Sequence, residues 1–227
     1  MNAHDLIVLA LLGGVLGLDT VSFPQAMLSR PIVACTLTGL LLGYAAPGLL
    51  LGATLELFAV ETLPFGASRY PEWGSSSVVG TSLFASGAVT RPGALVTAVL
   101  GTLMVAWVGG WSMVRLRKLN ARWARRRHAA VTQGDRRAVV GLQLAGLGAD
   151  LVRGIALTAL ALLVLTPIQS ALLDTWNARQ EVGRGIVAVT AGAVALGAAY
   201  KLFHAVHGFA WQFAAGLAVG LAILVVL

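Results

Sequence analysis

The side chains that could do chemistry sit close together near the start of an otherwise apolar chain. Between Asp19 and Glu72 the sequence carries Asp19, Gln25, Arg30, Thr36, Thr54, Glu56, Glu61, Ser68, Arg69 and Glu72. Carboxylates, amides and hydroxyls each make several directional hydrogen bonds, the chemistry that holds a neutral, hydroxyl-rich ligand such as a sugar. Glu56 is the leading candidate, because it lies inside the apolar run 48–58, where a carboxylate is expensive and marks a functional site by default. The competing reading for Glu56 is an internal salt bridge with Arg30 or Arg69. Arg30, directly before Pro31, reads as an interfacial anchor or ion-pair partner rather than a direct ligand. Glu61, Arg69 and Glu72 belong either to the site or to a solvated loop. Tyr70 and Trp73 either stack on a sugar ring or sit at a membrane interface, where aromatics are ordinary.

Other chemistries find no constellation in the sequence. His204 and His207 are three apart beside Lys201 and share a helix face, but no Asp, Glu or Cys nearby supplies a third metal ligand. Cys35 is the only cysteine and reads as a small packing residue, so neither a disulfide nor a metal site is expected. No glycine loop of the phosphate-cradling kind occurs, and no cofactor is implied.

The elements that must position the polar cluster are membrane segments. Of 227 residues 58% are hydrophobic and only 11% charged, and mean hydropathy is +0.84. Soluble domains carry about 25% charged residues, so this is an integral membrane chain, long enough for roughly six to eight segments of about 20 residues. The runs 31–43 and 48–58 are each too short to span comfortably, and Pro47-Gly48 breaks them apart. Broken apolar segments holding buried polar groups are how transporters build sites at membrane depth. The spacings Gly13/Gly17, Gly39/Gly43, Gly48/Gly52 and Gly216/Gly220 predict close helix packing. Residues 61–74, rich in Pro and Gly, predict a loop lining the site beside Glu56.

Nine of the 16 Lys and Arg residues lie between Arg115 and Arg137. Wedged between membrane segments, this run predicts a cytoplasmic loop that touches anionic head groups, and nucleic acid is the weaker reading. Apolar side chains interleave with the cations over 113–138, which predicts an amphipathic helix lying on the membrane surface. Apolar stretches follow at about 151–173, 186–200 and 209–227, with a polar extracytoplasmic loop over 174–184.

Three stretches together resemble a known family. They are Arg30-Pro-Ile-Val-Ala-Cys-Thr-Leu-Thr-Gly-Leu-Leu-Leu-Gly43, then Gly48 to Gly52 with Thr54-Leu-Glu56, then Leu63-Pro-Phe-Gly-Ala67. In this order they resemble the IIC component of the mannose/sorbose family of the sugar phosphotransferase system, over about residues 15–90. The resemblance implies an all-α polytopic membrane protein with short re-entrant or broken helices, here one IIC domain over 1–227. It implies a non-catalytic, sugar-translocating subunit in a bacterial cytoplasmic membrane, one part of a phosphoenolpyruvate-dependent complex. Its partners would be a IID membrane subunit, as a trimer of IIC–IID pairs, and a cytoplasmic IIB that phosphorylates the sugar and is charged by IIA. On this resemblance Glu56 matches the family's Thr-Leu-Glu carboxylate and Gln25 a glutamine upstream of the Arg-Pro pair. The expected sugar contacts are Glu56, Gln25, Thr54, Phe65 and Gly66, with support from Arg30, Arg69 and Glu61. Pro64 stands where some members carry asparagine. A non-transporting membrane scaffold or sensor derived from the family is the alternative.

Overall fold

The computed structural model describes residues 2–60, 69–86, 89–204 and 208–226. Among these residues the chain is helical throughout, with nine helices: α1 (Ala3–Asp19), α2 (Pro31–Leu41), α3 (Ala45–Ala59), α4 (Trp73–Ala85), α5 (Ala94–Arg126), α6 (His128–Thr132), α7 (Arg136–Asp174), α8 (Gln180–Phe203) and α9 (Phe209–Val226). This is a multi-pass membrane protein, as composition predicts. The helices α5, α7 and α8 are long and apolar enough to cross a bilayer.

The helices α2 and α3 form the broken pair. At 1.5 Å per residue their 11 and 15 residues rise only about 16 and 22 Å, short of a hydrocarbon core of about 30 Å. Pro31 starts α2 at a position where its missing N–H is no loss, and Gly43, at φ +76°, supplies the left-handed turn into α3. The two helices then pack backbone to backbone. A Cβ on Gly48 would lie 2.5 Å from the Cys35 carbonyl oxygen and 3.0 Å from Gly39 Cα. Small residues are therefore required along this seam, and Cys35, fully buried, is one of them. The glycine spacings divide by role. Gly13 and Gly17 pack against Thr158 and Ser75, Gly48 and Gly52 pack against α2, Gly43 is a turn, and Gly216 and Gly220 have nothing within 4 Å.

The helix α4 is buried along its whole length although it carries Ser75, Ser76, Ser77, Thr81 and Ser82. Its hydroxyls are satisfied largely on its own backbone: Ser76 donates to Glu72 O at 2.6 Å, Thr81 to Ser77 O at 2.9 Å and Ser82 to Val78 O at 2.7 Å. That lets a hydroxyl-rich helix sit at the centre, with α1, α2, α3, α5 and α7 around it. The apolar core divides between Leu51, Leu55, Trp73 and Phe84 on one side and Leu16, Val78, Leu83 and Leu162 on the other.

Two expectations are corrected. The basic segment is not a separate helix; it continues α5 without a break to Arg126 and returns through α6 into α7. Nothing between Trp111 and Arg126 stops a helix: there is neither Gly nor Pro, and Arg, Lys, Leu and Ala all favour continuation. The chain reverses at Gly134, at φ +76°, and Asp135 caps α7 by accepting from Arg137 N at 2.9 Å. The polar loop expected over 174–184 is also shorter, because α8 already begins at Gln180.

Candidate functional site

One open cavity, about 360 Å³ in volume, gathers polar side chains where the α1–α2 connector meets the start of α4. Asp19, Thr20, Gln25 and Arg30 line it from the connector, and Tyr70 and Trp73 from the other side. Asp19, only 2% exposed, organises the connector. Its two carboxylate oxygens accept from Ala26 N at 2.7 Å and Ser29 N at 2.8 Å. Between those anchors Gln25 and Met27 take φ +59° and +60°, a conformation uncommon for side chains other than Gly and found preferentially where ligands bind. The Gln25 side chain donates to Val21 O at 2.8 Å, and its amide oxygen has no donor among the described residues.

The opposite wall is held from α5. Glu72 N donates to Ala106 O at 3.0 Å, and a Cβ on Gly110 would lie 2.2 Å from Tyr70 O, so the segment before α4 runs directly against that helix. Arg117 donates to the Tyr70 hydroxyl and stacks 4.9 Å from its ring centre. Two buried donors of the lining residues have no hydrogen-bond partner among the described residues: Thr20 Oγ1 and Trp73 Nε1. An unsatisfied buried polar atom costs about 1–3 kcal/mol.

The sequence candidates separate in space. Gln25 and Arg30 line the cavity. Glu56 is beside it, and its carboxylate is engaged: Arg30 donates to Oε1 from Nε at 2.7 Å and from Nη2, and Ile32 N donates to Oε2 at 3.1 Å. Of the two readings of Glu56, the Arg30 ion pair is therefore present, and it ties α3 to the first turn of α2. Thr54 donates to Leu50 O at 2.9 Å, within its own helix. Arg69 points elsewhere, with its guanidinium 4.5 Å over the Trp107 ring. Glu61, Phe65 and Gly66 lie outside the described residues, as does His207.

A second ionic group escaped sequence reasoning. Asp150 and Arg153, 2% and 9% exposed, pair at 2.9 Å on α7. Ser22 of the connector donates to Asp150, and Arg153 donates to Ser112 Oγ at 3.1 Å. Fully buried Glu72 caps α4 by accepting from Ser75 N at 3.1 Å, and its other oxygen has no hydrogen-bond partner among the described residues. The available signal was an Asp and an Arg three apart at the edge of an apolar run, a spacing that shares a helix face. Toward the opposite end of α1 and α4 lies another opening of about 320 Å³, whose polar lining is Asp5, Tyr44, Ser82, Ser86 and Thr166.

A profile for the PTS system sorbose-specific IIC component matches residues 3–216. The chain belongs to this family. Among curated relatives it is 36% identical over 83 residues to the fructose permease IIC component of Bacillus subtilis, covering 37% of this chain and 30% of that one. It is 31% identical over 83 residues to the sorbose-specific EIIC component of Lacticaseibacillus casei, with the same coverage. It is 38% identical over 58 residues to the mannose-specific EIIC component of Escherichia coli, covering 26% of this chain and 22% of that one. In these matches the chain spans less than a third of each relative's length. The fold is shared more widely. A solved membrane protein superposes with TM-score 0.77 at 17% identity over 97% of this chain and 87% of that one. A chain from the cryo-EM structure of the mannose transporter ManYZ in complex with a microcin superposes with TM-score 0.63 at 20% identity over 98% and 87%.

Proposed function

We propose that this chain is the sugar-translocating subunit of a phosphotransferase permease in a bacterial cytoplasmic membrane, and that the cavity between the α1–α2 connector and the start of α4 holds the sugar. One observation carries the reading: two buried donors without partners among the described residues, Thr20 Oγ1 and Trp73 Nε1, belong to residues that share one cavity with the Gln25 amide and the Tyr70 ring. Aromatic faces with amide and hydroxyl partners suit a pyranose, which presents C–H patches and hydroxyls together. In this reading Gln25, Thr20 and Trp73 contact the sugar. Glu56 acts through Arg30, fixing the guanidinium at the cavity edge, and Phe65 and Gly66 are further proposed sugar contacts.

Orientation follows from the charge: the Arg-rich end of α5 and α7 faces the cytoplasm. Tyr70 is bonded to Arg117 of that same end, so the cavity opens on the cytoplasmic side. The chain itself performs no phosphoryl transfer. A IID-type membrane partner completes the translocation unit, in a trimer of pairs, and a cytoplasmic IIB charged by IIA phosphorylates the arriving sugar.

The test is reconstitution with the IID, IIB and IIA proteins of the same system. Phosphoenolpyruvate-dependent accumulation of one hexose or amino sugar, abolished by Glu56→Ala with membrane insertion intact, is the expected result. A stable membrane complex that phosphorylates no sugar would instead assign the chain to the scaffold class.

A further inference from the structure

We infer that the groove between α5 and α7 beside Ser22 and Phe23 is a second binding place for the sugar, occupied after the cavity and before phosphorylation; that its ligand is a sugar rests on the reading above. The groove holds about 460 Å³ against about 360 Å³ for the cavity, so its size admits the same ligand. Asn120 and Trp123 of α5 and Gln143 and Gly146 of α7 form its walls, and Ser22 and Phe23 of the connector close it. These residues meet because both helices run on beyond their apolar stretches and pack against each other.

The chemistry of the walls selects the occupant. Asn120 is half-buried, and its Oδ1 is buried with no hydrogen-bond partner among the described residues. A buried acceptor without a donor is destabilising, so this oxygen is the strongest demand the groove makes. A lipid tail or an apolar helix face would leave it unmet. A single water would meet it but fills only about 30 Å³ of the space. A sugar hydroxyl donates to it, and the ring fills more of the groove. Exposed Gln143 adds an amide that both donates and accepts. Ser22 already donates its proton to Asp150, which leaves its oxygen to accept. Half-buried Trp123 and Phe23, 68% exposed, supply aromatic faces for the C–H patches of a pyranose. Gly146 keeps one wall open: a Cβ there would meet only Asn120, 3.6 Å from its Nδ2.

Position says when the groove is used. Ser22 and Phe23 directly follow Thr20 and Val21, which line the cavity. Neighbouring Cα atoms are about 3.8 Å apart, so one short strip of connector borders both spaces. The strip is fixed on both flanks. Asp19 accepts from Ala26 N and Ser29 N, and Ser22 is tied to Asp150, which is itself paired with Arg153. A sugar leaving the cavity toward the Arg-rich end of α5 and α7 therefore meets a second set of amide, hydroxyl and aromatic partners before it enters bulk water. Held there, it remains at the mouth of the subunit until it is phosphorylated.

The experiment is equilibrium dialysis of the full chain with its membrane partner in nanodiscs against radiolabelled fructose, sorbose and mannose, each in turn. The expected result is two equivalents of one sugar per chain. Thr20→Val should weaken one of them. Asn120→Leu should weaken the other by about 2- to 13-fold without lowering the melting temperature, because it removes an unsatisfied acceptor along with the sugar contact. Gly146→Leu, which puts a side chain into the groove, should remove that second equivalent. Two equivalents that neither groove variant changes would overturn the inference. A single equivalent, sensitive to Thr20→Val and not to the groove variants, would overturn it and leave the sugar cavity standing. A single equivalent lost in Gly146→Leu and unchanged in Thr20→Val would sink the cavity reading and leave the groove as the sugar site. No bound sugar at all would overturn both.

Discussion

Replacing Thr20 by Val separates a binding hydroxyl from a structural one. The two side chains have nearly the same shape, so packing changes little, and only the hydroxyl is lost. Thr20 Oγ1 is buried without a partner, which costs the unliganded protein about 1–3 kcal/mol. Thr20→Val should therefore raise the melting temperature of the ligand-free protein in detergent. The same hydroxyl, bonded to a sugar, contributes about 0.5–1.5 kcal/mol, so affinity should fall by about 2- to 13-fold. Trp73, which lines the cavity, provides the signal: quenching of tryptophan fluorescence on titration with a transported hexose yields the dissociation constant. Opposite signs in stability and affinity are the signature. A melting temperature that falls, or an affinity that stays constant, would refute the assignment of this hydroxyl to the ligand.

Further outcomes follow from the packing and the ion pairs. Gly48→Ala forces a methyl against the Cys35 carbonyl and should cost about 1–3 kcal/mol, whereas Gly216→Ala, with open space around it, should be neutral or slightly stabilising; thermal unfolding of the two variants checks this. Arg30→Met leaves the Glu56 carboxylate, 23% exposed, without its guanidinium and should cost about 1–3 kcal/mol, and Arg30→Met/Glu56→Leu should recover more than half of that loss in the same assay. Asp150→Asn strands the buried Arg153 charge and weakens the tie to Ser22, so it should lower stability by about 3 kcal/mol and speed proteolysis within residues 20–30.

The hairpin was legible because its cause is local. Two apolar runs too short to span, a Pro at the start of one and the Pro47-Gly48 break between them leave few alternatives, and α2 and α3 follow that pattern, except that the turn falls at Gly43 and Pro47 sits in the first turn of α3. The Arg30–Glu56 pair was one of two readings, since sequence cannot say whether a carboxylate finds a cation or a ligand; the other cation, Arg69, found Trp107 instead. The Asp150–Arg153 group was not legible, because Ser22 lies 128 residues from Asp150 and Ser112 lies 41 from Arg153, and they meet only through packing of α1, α5 and α7. The orphan donors of Thr20 and Trp73 were hidden for the same reason: whether a polar atom finds a partner is a property of the assembled core. The continuation of α5 to Arg126 was hidden because an amphipathic pattern sets which face is apolar, not where a helix ends.

The most direct test is a structure of the chain with its membrane partner in the presence of a transported hexose. The account predicts sugar density between Trp73 and Tyr70 on one side and Gln25 on the other, within hydrogen-bond distance of Thr20 Oγ1 or Trp73 Nε1. Sugar density in the opening beside Asp5, Tyr44 and Ser82, with the first cavity empty, would contradict it.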